Sequence, residues 1–301
     1  MQLFTSNKQL KAETSMLFVA FIWGATFVVV KNALADISPF WFLALRFIIA
    51  FIVLAFLAFD SIKSINSSTI FYGSVIGFFL FIGFAFQTVG LKYTTSSNAG
   101  FITGLSVVLV PVIYSLMYKK IPEFKTCLAS LLALIGLFLL SFYTNSFNLN
   151  YGDFLVLICS LGFALHIILV DRYSHKHNPV AITGVQILFV GIFSLLIAVF
   201  VEPFPHSLTY NAVSAILITS ILATDLAFLL QNSMQKHSTP TRFAIILTTE
   251  PVFAALTAYL WAGEILSTRG IIGALFILIS MFISVLFPTH SKKEEVLDES
   301  A

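Results

Sequence analysis

Long apolar stretches separated by short polar segments repeat along this 301-residue chain. Each stretch is about 20 residues long, the length of helix that crosses a hydrocarbon layer roughly 30 Å thick. Charged residues, prolines or clusters of asparagine and serine bound the stretches. The apolar residues are continuous rather than alternating, which favours helices over the strands of a membrane barrel. The pattern therefore predicts an all-α integral membrane protein with ten membrane-spanning helices.

The predicted spans form two sets of five. The first set covers residues 14–34, 39–59, 69–91, 98–118 and 124–142. The second set covers residues 152–170, 179–201, 210–234, 241–261 and 267–287. The first span is too long for the apolar region of a signal peptide, so we expect it to be retained. Little length remains between spans, so the sequence leaves no room for a soluble domain.

Composition agrees with a lipid environment and excludes several other classes of protein. Hydrophobic residues make up 58% of the chain and charged residues 10%, whereas soluble proteins have roughly 45–50% and 25%. So few charges exclude a disordered chain or a nucleic-acid binder. Cys127 and Cys159 are the two cysteines, too few for a disulfide scaffold. We expect the lipid bilayer and a small molecule as partners, and no nucleic acid, metal or cofactor.

Lysine and arginine fall mainly on one side of the predicted topology. With the N-terminus in the cytoplasm, twelve of them lie in inside segments, three in outside segments, and Arg46 within a span. Such an excess is typical of cytoplasmic loops. We therefore expect both termini to be cytoplasmic, with residues 288–301 forming a cytoplasmic tail.

The chain also matches itself at two offsets. A shift of 144 aligns Phe84-Ala85-Phe86-Gln87 with Phe228-Leu229-Leu230-Gln231, and Lys92-Tyr93 with Lys236-His237. A shift of 140 aligns Ser38-Pro39 with Asn178-Pro179, Arg46 with Gln186, and Pro111-Val112 with Pro251-Val252. Because each repeat contains an odd number of spans, the second must be inverted relative to the first. The sequence thus predicts inverted repeats at residues 14–142 and 152–287, an architecture common in secondary transporters.

Several motifs resemble the repeats of a known transporter family. In the first half these are Trp23-Gly24 with Phe27, Leu45-Arg46-Phe47, Gln87 with Leu91-Lys92-Tyr93-Thr94, and Asn98-Ala99-Gly100-Phe101 with Pro111. In the second half they are Pro240-Thr241-Arg242, Glu250-Pro251-Val252-Phe253-Ala254-Ala255, Gly263-Glu264 and Gly270. Together they resemble the two EamA repeats of the drug/metabolite transporter superfamily, and the likeness extends from Thr14 to Phe287.

The resemblance implies a ten-helix carrier of small metabolites in a bacterial inner membrane. It also implies a central cavity lined by spans one, three, four, six, eight and nine. We expect export of small polar or amphipathic metabolites by alternating access, with amino acids as the leading class and a monomer or homodimer as the assembly. Exchange or facilitated transport of nucleotide sugars or other metabolites is the alternative within the superfamily.

Four ionisable residues lie at membrane depth, away from the ends of the predicted spans, where charge is costly and marks pathways or internal pairs. They are Arg46, His166, Asp225 and Glu250. Arg46 can tether its helix to carbonyls or a carboxylate, or it can serve as counter-charge to an anionic substrate or as a gate partner. For His166 we favour a hydrogen bond between helices, and a place in the substrate pathway is the alternative. Asp225 needs a partner from another helix, and we favour it as the acid for coupling or recognition.

Glu250 directly precedes Pro251, whose ring removes a backbone hydrogen bond and loosens the helix. Its carboxyl group can bind a cation or carry a proton, or it can clamp helices together. Protons are therefore a candidate coupling ion. Pro111 is the helix-breaking proline aligned with Pro251 in the other half.

Gln87 and Gln231 are the most symmetrical polar pair in the sequence. An amide inside a membrane must be hydrogen-bonded, and equivalent amides of two inverted halves can face one shared cavity. They can orient a polar ligand or fasten their helix ends to neighbouring segments. Further candidates for the substrate pathway are Trp23, Thr26, Asn98, Thr103 and Ser106.

Two pairs of glycines at a spacing of four, Gly73 with Gly77 and Gly100 with Gly104, predict close approach of spans three and four.

An enzyme is the rival class of function. The sequence contains no Gly-x-Ser-x-Gly or His-Glu-x-x-His motif, so we expect no catalytic activity. No filter-like loop indicates a channel.

Overall fold

The computed structural model describes residues 7–119, 121–141, 150–262 and 267–286. Over these ranges the regular structure is helical, and no strand occurs within them. Eight helices or helix runs are long and apolar enough to cross a membrane, and the helix that begins at Phe124 is a shorter apolar one. The chain is therefore a multi-pass membrane protein.

The first half contains seven helices. They are α1 (Asn7–Ala33), α2 (Pro39–Leu57), α3 (Phe59–Lys63), α4 (Ser67–Gly90), α5 (Ser96–Gly104), α6 (Ser106–Tyr118) and α7 (Phe124–Ser141). The short helix α3 lies between two predicted spans. Predicted span four corresponds to α5 and α6, which are separated at Leu105.

The second half also contains seven helices. They are α8 (Tyr151–Tyr173), α9 (Pro179–Val201), α10 (Tyr210–Ser220), α11 (Ala227–Met234), α12 (Pro240–Leu247), α13 (Glu250–Ala262) and α14 (Thr268–Leu286). A π-helical turn, Ile221–Leu226, joins α10 to α11, and predicted span nine is divided between α12 and α13. The predicted ends at Phe142 and Phe287, the Gly263-Glu264 motif and the tail 288–301 lie outside the described residues.

Proline and small polar residues set several helix starts. Pro39 and Pro179 occupy the first turns of α2 and α9, where a missing N–H costs no hydrogen bond. Thr95 caps α5 by accepting a hydrogen bond from the backbone N–H of Asn98, and Thr239 caps α12 in the same way through Arg242.

The two prolines of the repeat have different local consequences. Pro111 lies inside α6, and the carbonyl of Val107 that its missing N–H leaves free accepts a hydrogen bond from Ser130 Oγ at 3.3 Å. Pro251 is the second residue of α13, so no N–H is available to continue α12 beyond Leu247. The break in predicted span nine follows from this position.

Helices of each half pack closely against helices of the other half. Helix α4 packs against α8 and α9, while α1 packs against α11 and α13, and α2 packs against α9 and α10. Helix α7 packs against α14, with Gly136 and Gly273 at their closest approach.

The prediction that the glycine pairs join spans three and four is wrong about the partner. A Cβ atom added at Gly73 would lie 2.7 Å from Val185, and one at Gly77 would lie 2.9 Å from Phe189. Both neighbours belong to α9. Helix periodicity identified the small face of α4, but sequence spacing alone could not identify the helix that covers it.

Large apolar side chains cover the outside of the bundle. Phe56 is 85% exposed and Phe200 83% exposed, and many other leucines, isoleucines and phenylalanines are also exposed. An apolar exterior of this extent suits hydrocarbon rather than water. Polar side chains, by contrast, are concentrated between the helices.

Candidate functional site

A cavity lies among the helices, and the space free of protein atoms within it and at its opening to solvent is about 970 Å³. Helices from both halves line it, including the junctions α5–α6 and α12–α13. Phe84, Phe163 and Phe228 supply aromatic walls. Trp23 packs on Phe228 with ring centroids 5.4 Å apart. The site therefore combines apolar surfaces with a small number of polar groups, as small-molecule sites do.

Most sequence-predicted site residues come together around this cavity. Those that line it are Trp23, Thr26, Arg46, Gln87, Thr103, Ser106, His166, Gln231, Glu250 and Pro251. Three others, Asn98, Asp225 and Pro111, do not belong to the lining.

Two helix starts meet the cavity. Ser106 is the first residue of α6 and Glu250 is the first residue of α13, and both line the space. The first N–H groups of a helix have no partners within the helix, and the helix dipole gives this end partial positive charge. Interrupted helices at matching positions of two halves are typical of transporter binding sites. Ser106 and Glu250 can therefore contact the polar part of a ligand from the starts of two helices.

Arg46 brings a positive charge to the cavity from α2. Its Nε donates to Thr224 Oγ1 at 2.8 Å, and one terminal nitrogen, Nη2, donates to the carbonyl of Ala223 at 3.2 Å. The guanidinium also lies 4.8 Å from the ring centroid of Phe84. Among the described residues no carboxylate forms a salt bridge with Arg46, and no protein acceptor is found for Nη1. The side chain is held in place while part of its hydrogen-bonding capacity remains available.

The π-helical turn supplies the acceptor that holds Arg46. The carbonyl of Ala223 also accepts a hydrogen bond from Trp23 Nε1 at 2.8 Å. A π turn shifts the backbone pairing by one residue, which makes such a carbonyl available to side chains, and these turns are frequent at functional sites. The turn thus joins α1 and α2 to the second half beside the cavity.

Three further polar side chains are fixed by hydrogen bonds between helices or within one. Gln87 Nε2 donates to Thr103 Oγ1 at 3.2 Å, joining α4 to α5. His166 Nε2 and Gln186 Oε1 are 2.9 Å apart, joining α8 to α9. Gln231 Nε2 donates to Gln235 Oε1 at 3.3 Å, whereas Gln231 Oε1 is buried without a partner.

Asp225 lies in the π turn, next to Thr224. Its side chain is buried, and neither carboxylate oxygen has a hydrogen-bond partner among the residues that the structure describes. A buried polar group without a partner is uncommon and calls for an explanation, since an ionised carboxylate in this position is costly.

Two polar clusters outside the cavity were not found from the sequence. In one, Glu13 Oε1 lies 2.5 Å from Arg242 Nη1 and accepts a hydrogen bond from Ser238 Oγ at 3.2 Å. We call this the Glu13 cluster.

In the second, Asp153 Oδ1 accepts hydrogen bonds from Thr94 Oγ1 at 2.5 Å and from Asn98 Nδ2 at 3.5 Å. We call this the Asp153 cluster, and it is where the structure places Asn98. The repeat offsets contained the signal: 140 separates Glu13 from Asp153, and 144 separates Asn98 from Arg242.

Comparisons with known proteins identify relatives over nearly the whole chain. A protein of Archaeoglobus fulgidus named "Uncharacterized transporter" is 39% identical, with 92% of this chain and 86% of the relative covered. The "Uncharacterized transporter YoaV" of Bacillus subtilis is 24% identical, covering 94% and 99%. The "WAT1-related protein At3g02690, chloroplastic" of Arabidopsis thaliana is also 24% identical, covering 91% and 69%.

The fold and the family model agree with these relatives. One solved crystal structure has a TM-score of 0.76 at 18% identity, covering 91% of this chain and 96% of that chain, so the two share a fold. The model of the EamA-like transporter family matches residues 10–142 and again residues 150–286. With both matches spanning nearly its full length, the chain belongs to the EamA-like transporter family.

Proposed function

We propose that this protein is a secondary-active carrier that exports small amphipathic metabolites, amino acids foremost, by alternating access. The substrate class is inferred from the composition of the cavity wall. Arg46 and Glu250 bring opposite charges to one cavity that is otherwise largely aromatic and aliphatic. A zwitterion with an apolar side chain matches this arrangement, since the carboxylate can bind the free Arg46 nitrogen and the ammonium the Glu250 carboxylate.

Pseudo-symmetry of the cavity supports the inverted repeat and hence alternating access. An offset of 140 relates Trp23, Thr26 and Phe27 to Phe163, His166 and Ile167, and all six line the cavity. An offset of 144 relates Gln87 to Gln231 and Ser106 to Glu250, which also line it. Equivalent residues of two halves around one space are what an inverted-repeat carrier requires.

The Glu13 and Asp153 clusters support the same architecture. Each consists of an acid near a helix start, a hydroxyl donor and a nitrogen donor, related in order by the repeat offsets. We propose ten crossings, with Glu13 near the cytoplasmic face, Asp153 near the outer face, and both termini cytoplasmic in a bacterial inner membrane. We infer this orientation from the distribution of lysine and arginine residues.

Substrate identity is tested by counterflow. Purified protein in proteoliposomes, loaded in turn with amino acids, sugars, nucleosides and nucleotide sugars, should accumulate labelled amino acid against the matching unlabelled pool. Arg46→Met should abolish this exchange while leaving the amount of inserted protein unchanged. Counterflow with sugars or nucleotides but no amino acid would refute the substrate class.

We further propose that Asp225 and Glu250 couple transport to protons. A protonated carboxyl removes the cost of an isolated charge at Asp225, which has no partner in its buried position. Asp225→Asn and Glu250→Gln should abolish transport or uncouple it from an imposed pH gradient while membrane insertion persists. If both amides transport like the parent with the same dependence on pH, neither acid has a coupling role.

A further inference from the structure

The cavity extends toward one end of the molecule and is closed toward the other. The lining residues that extend it are Val30, Thr88, Leu91 and Gly100. Their counterparts at the repeat offsets, which are all 0% exposed and absent from the lining, are Val170, Asn232, Gln235 and Ala244. We call the first group the open end and the second group the closed end. The two ends differ although the sequence relates them.

Gln235 makes a cross-helix hydrogen bond at the closed end. Its Nε2 donates to the backbone carbonyl of Ile167 on α8. Its Oε1 accepts the hydrogen bond from Gln231 Nε2, so that one chain of bonds runs from the cavity wall to α8. Leu91 occupies the equivalent place at the open end, and leucine has no group that can form such bonds.

Apolar packing surrounds the Gln235 contact. Ile167 and Ala244 belong to one buried cluster with Val110, Ala164 and Ile168. At the open end, a Cβ atom added to Gly100 would find its nearest neighbour, Pro251 Cγ, at 3.9 Å, so the residue equivalent to Ala244 faces free space. Opening the closed end therefore requires that the Gln235 bond break and that this cluster separate.

We propose that Gln235 is the gate residue that keeps this end closed, and that the difference between Gln235 and Leu91 sets which end of the cavity is open at rest. The inference rests on the proposed alternating access. Gln231 connects the gate to the ligand site, because it lines the cavity and its buried Oε1 has no protein partner. A ligand that draws the Gln231 amide away from Gln235 breaks this chain of bonds, which links occupancy of the cavity to release of the gate.

Accessibility of single cysteines tests the gate directly. Cys127 and Cys159 are first replaced by serine and alanine, and a reporter is introduced as Ala244→Cys at the closed end or Gly100→Cys at the open end. Labelling rates with a small methanethiosulfonate are measured on purified protein in nanodiscs. Gln235→Leu should raise the Ala244→Cys rate and lower the Gly100→Cys rate, each about three- to tenfold, because one interhelical hydrogen bond is lost.

Two further variants separate a gate from general loosening. Leu91→Gln should change both rates in the same directions as Gln235→Leu, because an amide at the open end stabilises the state in which that end is closed, and it places the new amide where the cavity has space. Ser280→Ala, the matched control, removes a buried hydroxyl that donates to the backbone carbonyl of Ala129 between α14 and α7, two helices that do not line the cavity. It should leave the ratio of the two rates within about twofold of the parent, less than one interhelical hydrogen bond is worth.

The labelling results test the proposed gate independently of the identity of the substrate. Reciprocal changes with Gln235→Leu support it even if counterflow detects no amino-acid exchange, in which case only the proposed substrate fails. Equal increases at both reporters, or unchanged rates in both Gln235→Leu and Leu91→Gln, would overturn the gate even if amino acids are transported. A misfolded Gln235→Leu leaves the decision to Leu91→Gln.

Discussion

Neutralising one partner of the Glu13–Arg242 ion pair should destabilise the protein strongly. The two side chains are at most 3% exposed, and their charged atoms are 2.5 Å apart. In Glu13→Gln, Arg242 keeps a hydrogen bond to the carbonyl of Val285 but loses its counter-charge. Removing one partner of a buried pair leaves an uncompensated charge, so we expect the free energy of unfolding to fall by about 3–5 kcal/mol.

Removing both partners should cost much less. Glu13 Oε2 and Arg242 Nε are already buried without hydrogen-bond partners, so the pair is incompletely satisfied. In Glu13→Leu/Arg242→Met, apolar side chains remove these unpartnered polar atoms together with the ionic attraction between the two residues. We expect a loss no greater than about 2 kcal/mol, less than either Glu13→Gln or Arg242→Met alone.

Equilibrium unfolding in mixed micelles, followed by tryptophan fluorescence, measures these free energies. Asp153→Asn is the matched control from the other cluster, where the partners are neutral. It should cost about 1–2 kcal/mol, because the amide oxygen can still accept from Thr94 or Asn98. If the effects of Glu13→Leu and Arg242→Met simply add in the double variant, the ion-pair reasoning is refuted.

Three other substitutions test individual contacts. Arg46→Lys should weaken amino-acid binding at least tenfold, measured by ligand-induced thermal shift, because one ammonium cannot replace the forked contacts to Thr224 and Ala223 and also hold a carboxylate; unchanged affinity would contradict it. Gly24→Ala should lower thermal stability, since its Cβ would lie 2.9 Å from both Ala254 N and Phe253 Cβ, whereas Gly100→Ala should be tolerated; equal effects would contradict the packing. Trp23→Phe should cost about 0.5–1.5 kcal/mol of unfolding free energy, because Ala223 O loses one of its two donors and keeps Arg46 Nη2; an unchanged free energy would contradict this contact.

Hydrophobic pattern predicted where most helices lie, because a membrane span requires an uninterrupted apolar run whatever its neighbours are. Predicted span 179–201 and helix α9 have the same ends, with Pro179 in the first turn. Breaks within the helical spans were harder to predict. Pro251 indicated one break, but nothing in the segment from Ile221 to Leu226 distinguishes a π turn from an α-helix.

The candidate site could be predicted in part for the same reason. Polar residues inside an apolar span must face the protein interior, so Gln87, Gln231 and Arg46 were visible as candidates and line the cavity. Glu13 and Arg242 were assigned to polar segments near span ends, where charged residues are ordinary. Only their contact across 229 positions distinguishes them from solvated charges, and that contact depends on the packing of α1 against α12.

The differences between the two halves matter because a fully symmetric carrier would have no preference for either end of the cavity. If the halves were identical, the states open to either end would have equal free energy, and each residue that departs from the repeat shifts that balance. Arg242 replaces the position of Asn98, and Gln235 the position of Leu91. Gln235 adds a hydrogen bond to the carbonyl of Ile167 at the closed end, and Arg242 makes the contact with Glu13 an ion pair where Asn98 makes a neutral contact with Asp153. Under the proposed alternating access, their combined effect favours closure of one end, and a ligand has to offset that effect to complete the cycle.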